Sequence, residues 1–306
     1  MNAEIEPMAD WKLQVPGKWI LAGEHAVLRG SPAIVFPLKA KYLNLSYSKS
    51  ASKDFEIKIS GTSSTEIELI IWSVFEKALA ELKIKRSDLS GLLTIESHIQ
   101  FGAGMGASAT LAVGVTLFLK HLGFDISDTF IFAKKIEDLF HGESSGVDVA
   151  VALHQKAMVF QKNTENKFFD MPELPLMYLS YTGQRGVTKD CVNQVKKFFT
   201  EYPEQAVAVD LKMKNAVEKV IEFNFCMNLD QWKEVLGQSQ SCFEMWNLVP
   251  ASVQQHIDLL TQEGAIACKM TGSGFGGYVL SLWQHAPDMT KLPFEMIAVG
   301  SDSESI

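Results

Sequence analysis

The chain has 306 residues, of which 47% are hydrophobic and 21% are charged, and its formal net charge at pH 7 is -8. This composition predicts a folded protein long enough for two packed lobes and argues against intrinsic disorder. An acidic chain with no long basic run also disfavours nucleic-acid binding through phosphate neutralisation.

The cysteines and the N-terminal residues indicate the cellular compartment. Residues 1–6 have neither the basic nor the apolar segment of a secretory signal, and no apolar run reaches membrane-spanning length. None of the four cysteines forms a Cys-x-x-Cys pair, so neither a zinc site nor a disulfide framework is indicated. We therefore expect a cytoplasmic protein that does not bind a membrane.

The first 100 residues are expected to form strands, turns and one helix. Apolar periodicity predicts the helix over 65–84. A turn is predicted at Pro16-Gly17, and the residues beside the second strand, Lys18, Glu24 and His25, have local patterns typical of a strand end and a helix start. Strands are predicted at 11–15, 19–22, 33–37, 42–47, 55–59 and 92–99.

A glycine-rich loop, Gly102-Ala103-Gly104-Met105-Gly106-Ala107-Ser108, precedes a stretch over 111–119 that is apolar on every face and so predicts a buried helix. The start of a buried helix presents unpaired amides and the positive end of its dipole, and glycine allows close approach of the backbone. No Gly-Lys-Ser/Thr follows, and no acidic residue stands where a dinucleotide fold requires one. The loop therefore predicts a phosphate cradle, with a tight strand-to-helix turn as the alternative.

Three polar residues near this loop have two interpretations each. Ser108 could ligate Mg²⁺ or cap its helix. Glu137 could ligate a metal, although the spacing of Lys134 and Asp138 in the same predicted helix favours a charged, solvated face. Asp148 could be a general base at a helix start, or the third residue of a capping box begun by Ser145.

The second half is expected to be mostly helical over 189–262, with breaks near Pro203 and over 247–252. A second glycine-rich loop, residues 272–277, predicts either a turn between strands or the lining of an active site. A polar stretch at 164–167 predicts a boundary between an N-terminal domain, 1–165, and a C-terminal domain, 166–306. Further strands are predicted at 157–161, 177–181, 265–270 and 278–282, and further helices at 128–140 and 147–154.

Four segments resemble, in order, signature motifs of the GHMP small-molecule kinases, and within them those of the mevalonate kinase family. They are residues 16–28 (PGKWILAGEHAVL), 102–109 (GAGMGASA), 141–148 (HGESSGVD) and 269–277 (KMTGSGFGG). The family pattern usually has proline at Gln100, serine at Ala107, asparagine at Val149 and glycine at Phe275. These departures bear on the identity of the acceptor more than on the chemistry.

The resemblance implies an α+β fold of two lobes, with ATP and a small-molecule alcohol in the cleft between them. The implied reaction is ATP-dependent phosphorylation of mevalonate, with phosphomevalonate or a sugar as alternative acceptors, and a non-catalytic nucleotide-binding protein as the third possibility. A homodimer is also suggested. By the same resemblance, residues 102–108 would hold the phosphates of ATP, Ser108 and Glu137 would hold Mg²⁺, Asp148 would be the base with Lys18 beside it, and Glu24, His25, Thr182, Arg185, Thr188 and Gly274 would face the acceptor.

Overall fold

The computed structural model describes residues 9–49, 54–61, 64–141 and 144–300, and residues 1–6, in which no signal peptide is expected, lie outside that range. The first sheet has the order β3-β4-β2-β5-β6, and β1 pairs along β2. Only β3 and β4 run parallel. Its strands are β1 (Trp11–Ala22), β2 (Ala33–Ser48), β3 (Phe55–Gly61), β4 (Gly91–Ser97), β5 (Ala157–Phe160) and β6 (Lys167–Phe169).

Four helices accompany this sheet: α1 (Ser64–Leu82), α2 (Ala107–His121), α3 (Thr129–His141) and α4 (Val147–His154). The central one is α2, which contacts the other three helices and both β1 and β2. Its residues are buried on every side, as its uniformly apolar sequence predicts.

The second sheet is antiparallel, with the order β10-β7-β9-β8. It meets the first sheet where β8 contacts β1. Its strands are β7 (Met177–Tyr181), β8 (Ala267–Thr271), β9 (Tyr278–Leu282) and β10 (Met296–Val299), and its helices are α5 (Thr188–Glu201), α6 (Pro203–Glu222), α7 (Leu229–Met245) and α8 (Ala251–Gln262). The expected α+β class is confirmed. Within the described residues, none of these helices combines the length and the apolar character needed to cross a bilayer.

The predicted turn at Pro16-Gly17 is wrong, because β1 continues through it as a register shift against β2. A β-carbon on Gly17 would lie 3.1 Å from the carbonyl oxygen of Met105, so the glycine lets the phosphate-cradle loop approach the strand. The strands predicted at 33–37 and 42–47 form one strand, β2. The helical region has a further break, at 223–228 between α6 and α7. Strands β6 and β10 were not predicted. The domain boundary at 165 stays a prediction, and β6 just beyond it pairs with β5.

Candidate active site

A cavity of about 480 Å³ lies where β1, the first glycine loop, the starts of α2 and α4, and the second glycine loop meet. Of the residues singled out from the sequence, those that line it are Lys18, Glu24, His25, Gly102, Gly104, Gly106, Ala107, Ser108, Glu137, Asp148, Arg185 and Thr188. Ala103 and Met105 are buried in the core instead, and Gly274 is not part of the lining. Two residues of the third motif-like segment, Gly142 and Glu143, lie outside the described residues.

Lys18 and Asp148 form an ion pair at this cavity, with 3.1 Å between Lys18 Nζ and Asp148 Oδ1. The Lys18 side chain is 5% exposed and that of Asp148 is 25% exposed, so Lys18 is not a solvated strand end. The bulge in β1 directs Lys18 here, and its backbone N–H donates to Met105 O over 3.0 Å. A β-carbon on Gly106 would lie 3.0 Å from Lys18 Cγ and 3.5 Å from Asp148 Oδ2, so glycine leaves room for the pair.

The start of α4 presents Asp148 to Lys18 and does not form the predicted capping box. Gly146, with φ of 85°, is the N-cap residue, and the Ser145 hydroxyl accepts a hydrogen bond from Val147 N over 3.2 Å. The Asp148 carboxylate is therefore directed into the cavity toward a cation, and Asp148 is the second residue of the helix.

The start of α2 has a similar construction. Gly106, with φ of 76°, is the N-cap residue, so Ser108 is the second residue of the helix and not its cap. Because Gly106 has no side chain, it cannot satisfy the first amides of α2, and an anion in the cavity can bind there. Both Ala107 and Ser108 line the cavity. This geometry fits the expected phosphate cradle.

Glu137 reaches the same cavity from α3 and is only 2% exposed. Burial, together with the nearby carboxylate of Asp148, raises the pKa of Glu137 to about 8. Its Oε2 atom has no hydrogen-bond partner among the described residues. The predicted pair between Lys134 and Asp138 does form, at 2.8 Å, but on a more exposed part of the helix. A buried, unpartnered carboxylate oxygen beside a second carboxylate fits a cation.

Glu24 and His25 follow β1 and are both buried. Glu24 Oε1 lies 2.5 Å from Lys269 Nζ, and burial raises the pKa of Glu24 although the Lys269 ammonium opposes this. The His25 ring donates from Nε2 to Ser273 O over 2.7 Å, because a carbonyl oxygen can only accept. Burial lowers the pKa of His25 to about 4, so the ring is neutral at pH 7.

The loop after β7 lines the cavity next to the first glycine loop. Gly186 N donates to Gly102 O over 3.1 Å, which ties this loop to the phosphate cradle. Arg185 packs against Gly102, and the Thr188 hydroxyl donates to Ser273 Oγ over 3.3 Å. Thr182 donates to Gly277 O over 2.9 Å and is not part of the lining.

The sequence analysis missed an apolar wall of the cavity, formed by Val27, Leu28, Val187 and Val192. Lys189, a cation in the sequence segment expected near the acceptor, lines the cavity with them. Lys269 belongs to the fourth motif-like segment, residues 269–277, and no role was predicted for it. It is fully buried against Glu24. The sequence did offer one signal: Lys269 is at the centre of the otherwise uncharged strand β8, and a buried charge needs a partner of opposite sign.

Known proteins resemble this chain at three levels. Residues 70–156 match the family model described as the GHMP kinases N terminal domain, which spans the phosphate cradle, Glu137 and Asp148. Over 295 residues, the chain is 28% identical to a mevalonate kinase of Thermococcus onnurineus, covering 87% of each protein.

Two solved structures resemble the chain in fold. The structure of L. major mevalonate kinase in complex with R-mevalonate matches with a TM-score of 0.72 at 21% identity, covering 94% of this chain and 91% of that one. The Methanococcus jannaschii mevalonate kinase matches with a TM-score of 0.75 at 15% identity, covering 96% and 98%. In motif order, in matched domain and in fold, the chain resembles GHMP kinases, and its sequence resembles those of mevalonate kinases along most of its length.

Proposed function

We propose that this protein transfers the γ-phosphoryl group of ATP to the primary hydroxyl of mevalonate, giving 5-phosphomevalonate and ADP. The observation that carries the proposal is the Lys18–Asp148 pair, 3.1 Å apart beside a glycine loop and two helix starts in one cavity. The similarity to mevalonate kinases over 87% of the chain supports the choice of acceptor.

Asp148 acts as the base in the proposed mechanism. Its carboxylate accepts the proton of the acceptor hydroxyl, the hydroxyl oxygen forms a bond to the γ-phosphorus, and the bond from that phosphorus to the β-phosphate oxygen breaks to release ADP. The Lys18 ammonium holds Asp148 in place and stabilises its negative charge before the proton arrives. Phosphoryl transfer depends mainly on such positioning and electrostatic stabilisation.

The start of α2 binds the phosphates of ATP in this proposal. Backbone amides of the loop from Gly102 to Ser108 donate to the phosphate oxygens, and the positive end of the helix dipole adds to their effect. Ser108 and Glu137 would hold Mg²⁺, whose charge offsets that of the phosphates. Glu137 fits this role because its Oε2 is buried without a partner among the described residues. Within those residues, no group of three or more His, Cys, Asp and Glu side chains forms a metal site, so the nucleotide and water would complete the coordination.

In this proposal, the acceptor binds beside the loop after β7. Arg185 and Lys189 supply positive charge for its carboxylate, and the apolar wall of Val27, Leu28, Val187 and Val192 suits its methyl and methylene groups. Phosphomevalonate is an alternative acceptor, since two cations can also bind a phosphate. Sugars are the other alternative. A homodimer belongs to the same proposal, and sedimentation of the purified chain tests it.

The decisive experiment measures ADP release with ATP and Mg²⁺ in the presence of mevalonate, phosphomevalonate and a panel of sugars. Mevalonate is expected to give the highest kcat/KM, and the phosphorylated product is identified by mass spectrometry. Turnover confined to phosphomevalonate or to a sugar contradicts the acceptor assignment. Nucleotide binding with no turnover on any of these alcohols contradicts the kinase assignment.

A further inference from the structure

Two side chains on one face of β8, and a backbone carbonyl of the loop after it, contact the first motif, residues 16–28. Lys269 Nζ donates to Ile20 O over 3.2 Å and pairs with Glu24, and Thr271 exchanges hydrogen bonds of 2.9 and 3.0 Å with the backbone of Ile20. In the loop, Ser273 O accepts from His25. Lys269 and Thr271 are two residues apart and so lie on one face of β8, and together with Ser273 they join the second sheet to the segment that lines the cavity.

Lys269 differs from the other two members because it carries a charge in a fully buried position. Its side chain is 0% exposed and that of Glu24 is 1% exposed. Removing two charges from water is costly, and apolar residues of similar volume often stabilise a fold at least as well as a buried ion pair does. Stability alone therefore does not explain why this strand has a lysine.

The arrangement of the Glu24 carboxylate indicates what the lysine does. Oε1 is taken by Lys269, while Oε2 is buried and has no partner among the described residues. Glu24 lines the cavity. An unpaired carboxylate oxygen at a binding cavity is satisfied when a ligand hydroxyl donates to it, and until then its desolvation is uncompensated.

Lys18 lies near this pair but belongs to the other one. Its ammonium acts only weakly on Glu24 and Lys269, whereas it is in direct contact with Asp148. The Lys269–Glu24 pair is therefore a separate unit beside the Lys18–Asp148 pair.

We infer that Lys269 is a positioning residue of the acceptor site: it binds Oε1 of Glu24 and leaves Oε2 for a hydroxyl of the acceptor. This inference rests on the proposed function, since it assumes an alcohol acceptor in the cavity. It adds a residue that does not line the cavity to the determinants of acceptor binding.

The test compares Lys269→Met with Thr271→Val, a control on the same strand face that loses contacts to the same residue, Ile20. Lys269→Met is expected to raise the acceptor KM by about 10- to 100-fold, as the loss of a charged hydrogen bond does, and to change the KM for ATP less than about 2-fold. Thr271→Val is expected to lower the melting temperature without this selective rise. Equal acceptor KM values in the two variants would overturn the inference.

A second variant covers the case in which Lys269→Met does not fold. The double variant Glu24→Gln/Lys269→Met has no buried charge to compensate, and it is expected to fold while keeping an acceptor KM at least about 10-fold above the wild-type value. A wild-type KM in this variant would show that Lys269 only compensates charge. A wild-type protein that phosphorylates no alcohol removes the proposed function itself, whereas an active enzyme with a normal acceptor KM in these variants removes only this inference.

Discussion

Two lysine–carboxylate pairs each contain one residue of the first motif, and they differ in their access to solvent. Lys18–Asp148, the open pair, has a quarter of the Asp148 side chain exposed, whereas both side chains of Lys269–Glu24, the sealed pair, are closed to solvent although Glu24 lines the cavity. A pair that exchanges a proton with a reactant has to be reached by that reactant. A pair in which the lysine only positions the carboxylate can be buried. Each charge then depends on the other, because water cannot replace a missing partner.

The largest expected effect follows from breaking the open pair at its carboxylate. Asp148→Asn keeps the shape of the side chain but cannot accept the proton, so kcat is expected to fall about 10²- to 10⁴-fold while ATP still binds. Steady-state ADP release measures kcat, and fluorescence titration measures nucleotide binding. The matched control is Asp210→Asn, which removes a carboxylate paired with Arg29 outside the cavity. Near-normal turnover in Asp148→Asn would remove Asp148 from the mechanism.

Replacing each lysine in turn compares how much the two pairs contribute to the free energy of unfolding. Lys269→Met leaves the buried Glu24 carboxylate unpaired and is expected to lower the free energy of unfolding by about 3–5 kcal/mol. Lys18→Met is expected to cost about 1 kcal/mol, because the partly exposed Asp148 can be solvated. Urea denaturation at pH 7 measures both values. Equal losses would mean that exposure does not set the energetic difference between the pairs.

The sequence predicted the residues of the open pair, Lys18 and Asp148, but not the sealed pair of Lys269 and Glu24. The order of the motifs, and not the local pattern, carried this prediction. Motif order brought Lys18, Ser108, Glu137 and Asp148 together as candidates, and all four line one cavity. Local pattern alone favoured a solvated Lys18 and a solvated Glu137, because burial depends on packing that a short window does not contain. The roles assigned to these residues remain predictions.

The sealed pair could not be inferred from spacing, since 245 residues separate Lys269 from Glu24. The element types were largely predicted, because apolar periodicity marks α1 and the buried α2 strongly. The continuation of β1 through Pro16-Gly17 was not predicted, since pairing with β2 on both sides of the register shift overrides the local turn preference.

A smaller effect is expected for Ser108, one of the two residues that we propose to hold Mg²⁺. Ser108→Ala removes a hydroxyl oxygen from the start of α2, and Ala107 beside it offers no replacement. The Mg²⁺ concentration at half-maximal activity is expected to rise about 10-fold. The control is Thr116→Val, which removes a buried hydroxyl bonded to Ala112 O in the middle of the same helix. An unchanged Mg²⁺ dependence in Ser108→Ala would exclude it as a ligand.

A further expected effect, which depends on pH, is a gain in stability when Glu137, a buried carboxylate that lines the same cavity, is neutralised. Because its pKa is raised to about 8 in the folded protein from an ordinary 4.5, the unfolded chain releases this proton at lower pH than the folded one. The wild type therefore loses stability as pH rises from about 4.5 to 8, and Glu137→Gln does not.

Thermal unfolding from pH 5 to pH 9 checks this expectation. Glu137→Gln should be closest to the wild type at pH 5 and become more stable than it as the pH rises, by up to about 4 kcal/mol above pH 8, because each pKa unit is worth about 1.4 kcal/mol. Added Mg²⁺ and nucleotide should narrow the difference at high pH by stabilising the wild type more than the variant, because a bound cation favours the ionised carboxylate. A difference that is the same at all pH values would show that Glu137 does not titrate between pH 5 and pH 9, which contradicts its raised pKa.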